Sequence, residues 1–482
     1  MTTHEVPNAL RVEGFRTRSS YGFLTLSQQA TFIVCGVLLG EAFIALYEPL
    51  TLVLTLPVTL AGAGLAASRR HGMSALSYYW ARIAWKLAVR DETTFYRAVL
   101  LPHPYALDLP GVAASSTLIK AHDPTTGRDV GVVHDRSTGR MTVSTLLAPG
   151  GSLMAPTGAV RGNLRNWANV LDSMSTEPQI LGASVTIQIT PGAGEALSDD
   201  IKARRDPNAP AFAQSVVDEL VRTAPHATAS VSPWMSVTVD PSATATAPLD
   251  LGERVAETLR VVDALDLSGT GTDIIRRATD VDLRRLVRAA YDPDTFHARD
   301  EEIRELSWGE CGPEAADDNW TEYAHDGGIS LSWTLRKMPN RPISYSTLLP
   351  FLSPGRFQRR VTLAYRVLDP REGERVLERE IDNAANRAEA TAQVKGRAKS
   401  SQKADYVKAS KAAAQVANGA QVVNWTLMIT VTARSAADLP AARDEVQRAI
   451  AKTRSIRMRP AYGAQSAVFA AGLPLGYNPL VK

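Results

Sequence analysis

The chain has 482 residues, is 45% hydrophobic and 21% charged, and carries a formal net charge of +3. Near-neutral charge at this size argues against a surface built to coat nucleic acid, and two cysteines cannot make the disulfide framework of a small secreted scaffold. The length leaves room for two or three domains of ordinary size.

Residues 1–27 form a polar arm with Arg11, Arg16 and Arg18. The apolar stretch from Thr25 to Ala67 follows, broken at Tyr47, Glu48 and Pro49. A membrane-crossing helix needs about 20 apolar residues, so the stretch is double the length of one crossing. It is read as a transmembrane hairpin over 28–68, turning at Pro49, which restrains Glu48 away from helix. Basic residues lie on both flanks, with Arg69, Arg70, Arg82, Lys86 and Arg90 on the far side and none in the turn. Both termini and the bulk of the chain are therefore expected on the cytosolic side of the plasma membrane. Gly36 and Gly40 have GxxxG spacing, and Gly62 and Gly64 lie in a small-residue run. All four are expected where membrane helices pack closely. Glu41 falls near the outer end of the first crossing, within reach of headgroups.

The segment 69–100 predicts an amphipathic juxtamembrane helix. Met73, Leu76, Tyr79, Trp80, Ile83, Trp85 and Leu87 recur at helical spacing between basic residues. Trp80, Arg82, Trp85 and Lys86 are its interfacial anchors.

A first α+β subdomain is assigned to 101–245. Three β-like runs, Ser116–Ala121, Asp129–Asp135 and Arg140–Leu147, alternate with Gly-containing turns and read as a meander. A helix is expected over Thr157–Met174, a strand over Ser184–Thr190, a helix over Phe212–Thr223 and a strand over Trp234–Val239. This order suits an antiparallel or mixed sheet with helices on one face. The second subdomain, 246–482, opens with amphipathic helices at Gly252–Leu265 and Asp280–Ala290. Arg284, Arg285 and Arg288 of the second helix are expected to face solvent. Trp308–His325 reads as an irregular acidic loop. Strands follow at Ile329–Lys337, Arg360–Leu368 and Val422–Val431, and a helix at Leu439–Arg454. Between the last two strands, 369–420 is rich in Ala, Lys, Arg and Glu with few large apolar residues. It predicts a long polar helix or helical hairpin with little surface to bury. No internal repeat is evident.

Motifs for chemistry are sparse. There is no GxxxxGK[ST] phosphate cradle, no HExxH, no CxxC pair, no EF-hand and no GxSxG elbow. His122-Asp123, His134-Asp135 and His325-Asp326 each stand beside a Gly-containing turn, where exposed polar residues are ordinary. Cys311 reads as an incidental thiol. No catalytic residue, metal or cofactor is assigned.

The membrane hairpin, introduced by Leu24-Thr25-Leu26-Ser27-Gln28-Gln29, resembles the PrgI-type small membrane protein of Gram-positive conjugation systems. The order of elements after it, with the closing AVFAAGLPLG at Ala467–Gly476, is similar to the non-ATPase N-terminal domain of VirB-type conjugation ATPases. Together these resemble an actinobacterial family of membrane proteins associated with conjugation and type IV secretion. The resemblance implies a non-enzymatic scaffold in a larger oligomeric complex, with a separate VirB-type ATPase and a coupling protein as partners. The EccE-type component of type VII secretion is similar in layout, and a membrane-tethered enzyme at the inner envelope face is the reading from another class.

Overall fold

The computed structural model describes residues 69–70, 73–98, 108–149, 157–191, 209–223, 229–244, 250–337, 345–395, 421–453 and 455–481, with a few isolated positions elsewhere. The expected hairpin over 28–68, with Gly40, Gly62, Gly64 and Glu41, lies outside the described residues apart from Gly36. Gly36 is helical and exposed, with open space where a side chain would stand. Among the described residues no helix is long and apolar enough to cross a membrane.

The described residues form two compact units, one from Glu92–Val367 with Val423–Lys482, the other from Glu13–Asp91 with Leu368–Val422. The second unit contains two long helices. Helix α1 (Ala75–Arg90) lies within the segment 69–100 expected to be helical, in which Met73–Ser74 and Phe95–Arg97 are instead extended. Helix α7 spans Pro370–Lys395 at the start of the Ala-rich region.

The first unit is built on a 13-stranded sheet in which every pairing is antiparallel. Its strands are β1 (Phe95–Arg97), β2 (Ser116–Asp123), β3 (Arg128–Asp135), β4 (Met141–Pro149), β5 (Ile180–Pro191), β6 (Ala229–Val239) and β7 (Thr272–Arg277). These are followed by β8 (Ala315–Asp318), β9 (Tyr323–His325), β10 (Gly328–Lys337), β11 (Gln358–Val367), β12 (Val423–Ala433) and β13 (Arg457–Pro460). Across the sheet the order is β1-β8-β9-β10-β12-β11-β5-β6-β4-β3-β2, with β7 also on β4 and β13 also on β10. The α+β class and the antiparallel sheet are as expected. The segment Trp308–His325, expected to be irregular, supplies β8 and β9.

Helices cover both faces of this sheet, not one. On the apolar face, α2 (Thr157–Thr176) and α4 (Leu251–Asp263) close over Val143, Ala183, Met235 and Val237. Helix α8 (Leu439–Thr453) closes in the same way over Leu331, Val361, Ile429 and Val431. Each fully buried Val, Leu or Ile contributes about 1.5–3 kcal/mol, and this face carries most of them. The opposite face is polar and buried. There Ser144 pairs with Ser236, Thr142 with Thr238, Ser332 with Thr430 and Ser330 with Thr432, hydroxyl to hydroxyl at 2.8–3.2 Å. Cross-strand pairing satisfies both members, so the face tolerates burial. Helix α5 (Asp280–Tyr291), helix α9 (Gln465–Ala471) and the segment after α9 cover it. A capping box between Thr279 and Asp282 starts α5. Gly476 crosses the Thr142–Thr238 pair with φ of 75°, its carbonyl accepting from Thr238 Oγ1 at 3.2 Å. A Cβ there would fall 1.9 Å from Thr142 Oγ1, so only glycine fits.

The sheet is an internal duplication that the sequence did not reveal. Reading outward from its centre, β5-β6-β4-β3 with β7 on β4 matches β11-β12-β10-β9 with β13 on β10. The centre is the antiparallel pair β5–β11, where Thr186 stands opposite Thr362. The two runs are related by an approximate two-fold axis at that pair. Register carries the equivalence residue by residue: Ser144 and Ser236 correspond to Ser332 and Thr430, Thr142 and Thr238 to Ser330 and Thr432. The backbone repeats it, since Ala278 N donates to Ser144 O at 2.8 Å and Ala461 N to Ser332 O at 2.9 Å. In the covering helices, Val255, Leu259 and Val262 of α4 correspond to Ala442, Val446 and Ala449 of α8.

Candidate functional site

Of the expected anchor residues, Trp80, Arg82, Trp85 and Lys86 all lie on α1. Trp80 is 71% exposed, and Ile83 and Leu87 share its face and its exposure. The Arg82 guanidinium sits 4.9 Å from the Trp85 ring centroid, a cation–π contact that holds a charge beside an apolar surface. Of the residues of helix α7 whose burial is described, only Gly373 and Leu377 are buried.

The arginines of α5 do not face solvent as expected. Arg284 donates to Arg304 O, Arg285 to Phe296 O and Ala298 O, and Arg288 to Gly312 O at 2.9 Å. Their side chains are only 19–22% exposed. They fasten the loops and the short helix α6 (Asp300–Glu305) that follow α5.

The three His-Asp dipeptides are not acid–base pairs. His122 meets Asp129 at 3.4 Å, while Asp123 caps a turn through Thr125 N and Thr126 Oγ1. Burial opposes the charge of Asp123, but the turn donors and Arg277 outweigh it and hold the carboxyl below its usual range. Asp135 caps the next turn in the same manner through Ser137 and Thr138. His325 points into a buried cluster, its Nε2 3.0 Å from Ser330 Oγ. Burial pushes its pKa down to about 3. Cys311 is fully buried and burial raises its thiol to about 12, which leaves it inert.

Beside His325 lies an unusual group. Arg360 is 2% exposed, and none of its three guanidinium nitrogens has a hydrogen-bond partner among the described residues. Its carbon sits 4.3 Å from the Phe469 ring centroid, and burial lowers its pKa to about 9. Gln188, directly opposite in register, has an unpartnered Oε1.

A cleft of about 760 Å³ lies on the apolar face of the first unit. Thr145, Met235, Val237, Val262, Leu265 and Leu267 line its inner side and are themselves buried. One wall is β7 and the other the start of β3, with Arg128 and Asp129. Among the described residues strand β7 pairs with β4 alone. A register shift between Ile274 and Arg276 makes Ile275 the extra residue of a bulge, and Ile274 and Ile275 are 52% and 58% exposed. Arg276 is paired bidentately with Asp282, and Arg277 with Asp263. Arg277 Nη1 has no partner among the described residues. The sequence reading missed this cleft because β7 is only six residues long and its two isoleucines do not alternate with polar residues. Among the described residues no group of three or more His, Cys, Asp or Glu side chains could hold a metal ion.

Compared with known proteins, the chain matches no family model, and no curated protein matches it.

Proposed function

We propose that the protein is a non-enzymatic inner-membrane scaffold subunit of a conjugative DNA-transfer or type IV secretion-like apparatus, to which a separate ATPase docks. The observation that carries this reading is α7. Of the 15 residues of this 26-residue helix whose burial is described, only Gly373 and Leu377 are buried, and such a helix gains its packing surface from a partner, because isolated helical stability in water is marginal. The exposed Trp80, Ile83 and Leu87 stripe on α1 supports contact with the headgroup region. The hairpin over 28–68 supplies the anchor, with Gly36, Gly40, Gly62 and Gly64 at helix contacts.

The test is isolation of the tagged full-length protein from its native host in mild detergent, with mass spectrometry of what accompanies it. Stoichiometric recovery of a VirB-type ATPase and a coupling protein supports the proposal. Recovery of type VII secretion components, or of the protein alone, contradicts it.

A further inference from the structure

Helix α1 turns its large aliphatic side chains and one indole outward. Tyr78, Ala81, Trp85 and Ala88 recur at alternating spacings of three and four and are half-buried, which marks the face turned toward the rest of the chain. Trp80, Ile83 and Leu87 stand on the opposite face, 71%, 49% and 51% exposed, with Ala84 exposed among them. A helix that had only to pack within the fold would bury that stripe. Lys86 and Arg90, one helical turn apart and both exposed, run along one border of it.

The charge around this face is of one sign. No Asp or Glu occurs between Glu48 and Asp91, while the same span holds Arg69, Arg70, Arg82, Lys86 and Arg90. The whole chain is nearly balanced, with 53 Lys and Arg against 50 Asp and Glu, so the local excess does not follow from composition. An apolar stripe bordered by cations matches a surface that is apolar below and negatively charged above, which is the interface of an anionic bilayer. Free phosphate would engage the cations and leave the stripe in water.

We infer that α1 binds an anionic phospholipid surface in preference to a zwitterionic one. The helix lies in the interface with Trp80, Ile83 and Leu87 among the upper acyl chains, and Lys86 and Arg90 reach the lipid phosphates. The aliphatic stems of these two residues follow the stripe while their charged ends stay in water. The inference deepens the headgroup contact proposed above and rests on it, but not on the secretion assignment.

The test transfers the full-length protein from detergent into vesicles of equimolar phosphatidylcholine and phosphatidylglycerol, with brominated acyl chains on one lipid or the other. Bromine quenches a nearby indole, and the difference between the native protein and Trp80→Phe isolates the share of Trp80. That quenching is expected to be at least about twofold greater with the bromines on phosphatidylglycerol. Lys86→Gln combined with Arg90→Gln, both at exposed positions, is expected to remove most of the excess. Equal quenching by the two lipids in the native protein overturns the inference, as does an excess that survives the double variant. Absence of Trp80 quenching by either lipid overturns it as well, because the stripe is then covered by protein. Alkaline carbonate extraction of the same vesicles reads the hairpin anchor separately. Release of a protein that had shown the phosphatidylglycerol excess refutes the anchor and upholds the lipid preference, and retention without the excess does the reverse.

Discussion

Thr186 Oγ1 and Thr362 Oγ1 lie 3.0 Å apart in a hydrogen bond at the point where the two repeats meet. Both residues are buried, at 0% and 1% exposure, so neither hydroxyl has water as an alternative partner. Replacing either by valine keeps shape and volume but orphans the other hydroxyl. Each single variant is expected to lose about 1–3 kcal/mol in urea unfolding, while the double variant loses less than the sum. Additive losses would show that the pair is not coupled.

His325 makes stability depend on pH. Its rings of contact are Tyr291, Tyr323 and Phe469 at 5.5–5.6 Å, and the charged group beside it is Arg360. The folded pKa of about 3 lies below the unfolded value near 6.5, so the unfolded chain binds the proton first as pH falls. The stability is fully present above about pH 6.5 and is lost as pH falls from there toward 3, by up to about 1.4 kcal/mol per unit. Urea midpoints of the native protein are expected to drop between about pH 7 and 5, above the range where carboxylates titrate. His325→Gln flattens that slope, and an equal slope in both proteins would refute the assignment.

Arg360 is a buried cation without a carboxylate partner among the described residues, and such a group costs stability unless compensated. Its contact with Phe469 returns only part of that cost, about 2 kcal/mol for a desolvated pair. Arg360→Met preserves length and removes the charge. Thermal unfolding is expected to show unchanged stability or a gain of about 1–3 kcal/mol. A loss of more than 2 kcal/mol, taken as roughly the whole cation–π contribution, would mean that the guanidinium has a bound counter-group.

Much of the strand and helix order was legible from periodicity. The meander turns, the hydroxyl-rich runs around Ser184 and Trp234, and the helices closing on Leu259 and Val446 fall where alternation and helical spacing put them. What was not legible has physical causes. Alternating Ser and Thr reads as a strand with one wet face, yet these hydroxyls pair with one another across strands, so α5, α9 and the C-terminal segment bury that face. The arginines of α5 read as a solvated stripe because carbonyls from distant loops, which bind them, leave no local signal. The duplication is hidden because the repeats keep the places of small hydroxyls and apolar residues but not their identities. Thr145, which stands where the other repeat has Trp333, is the sharpest case.

The central claim is that the Ala-rich helical region is the ATPase-docking element of a membrane scaffold. It is tested most directly by replacing 376–417 with a short Gly-Ser linker in the native host. Membrane fractionation and quantitative co-purification are then compared with the unaltered protein. The account predicts that the variant stays in the membrane fraction while recovery of the ATPase falls at least about tenfold. Undiminished ATPase recovery with the variant in the membrane would contradict it.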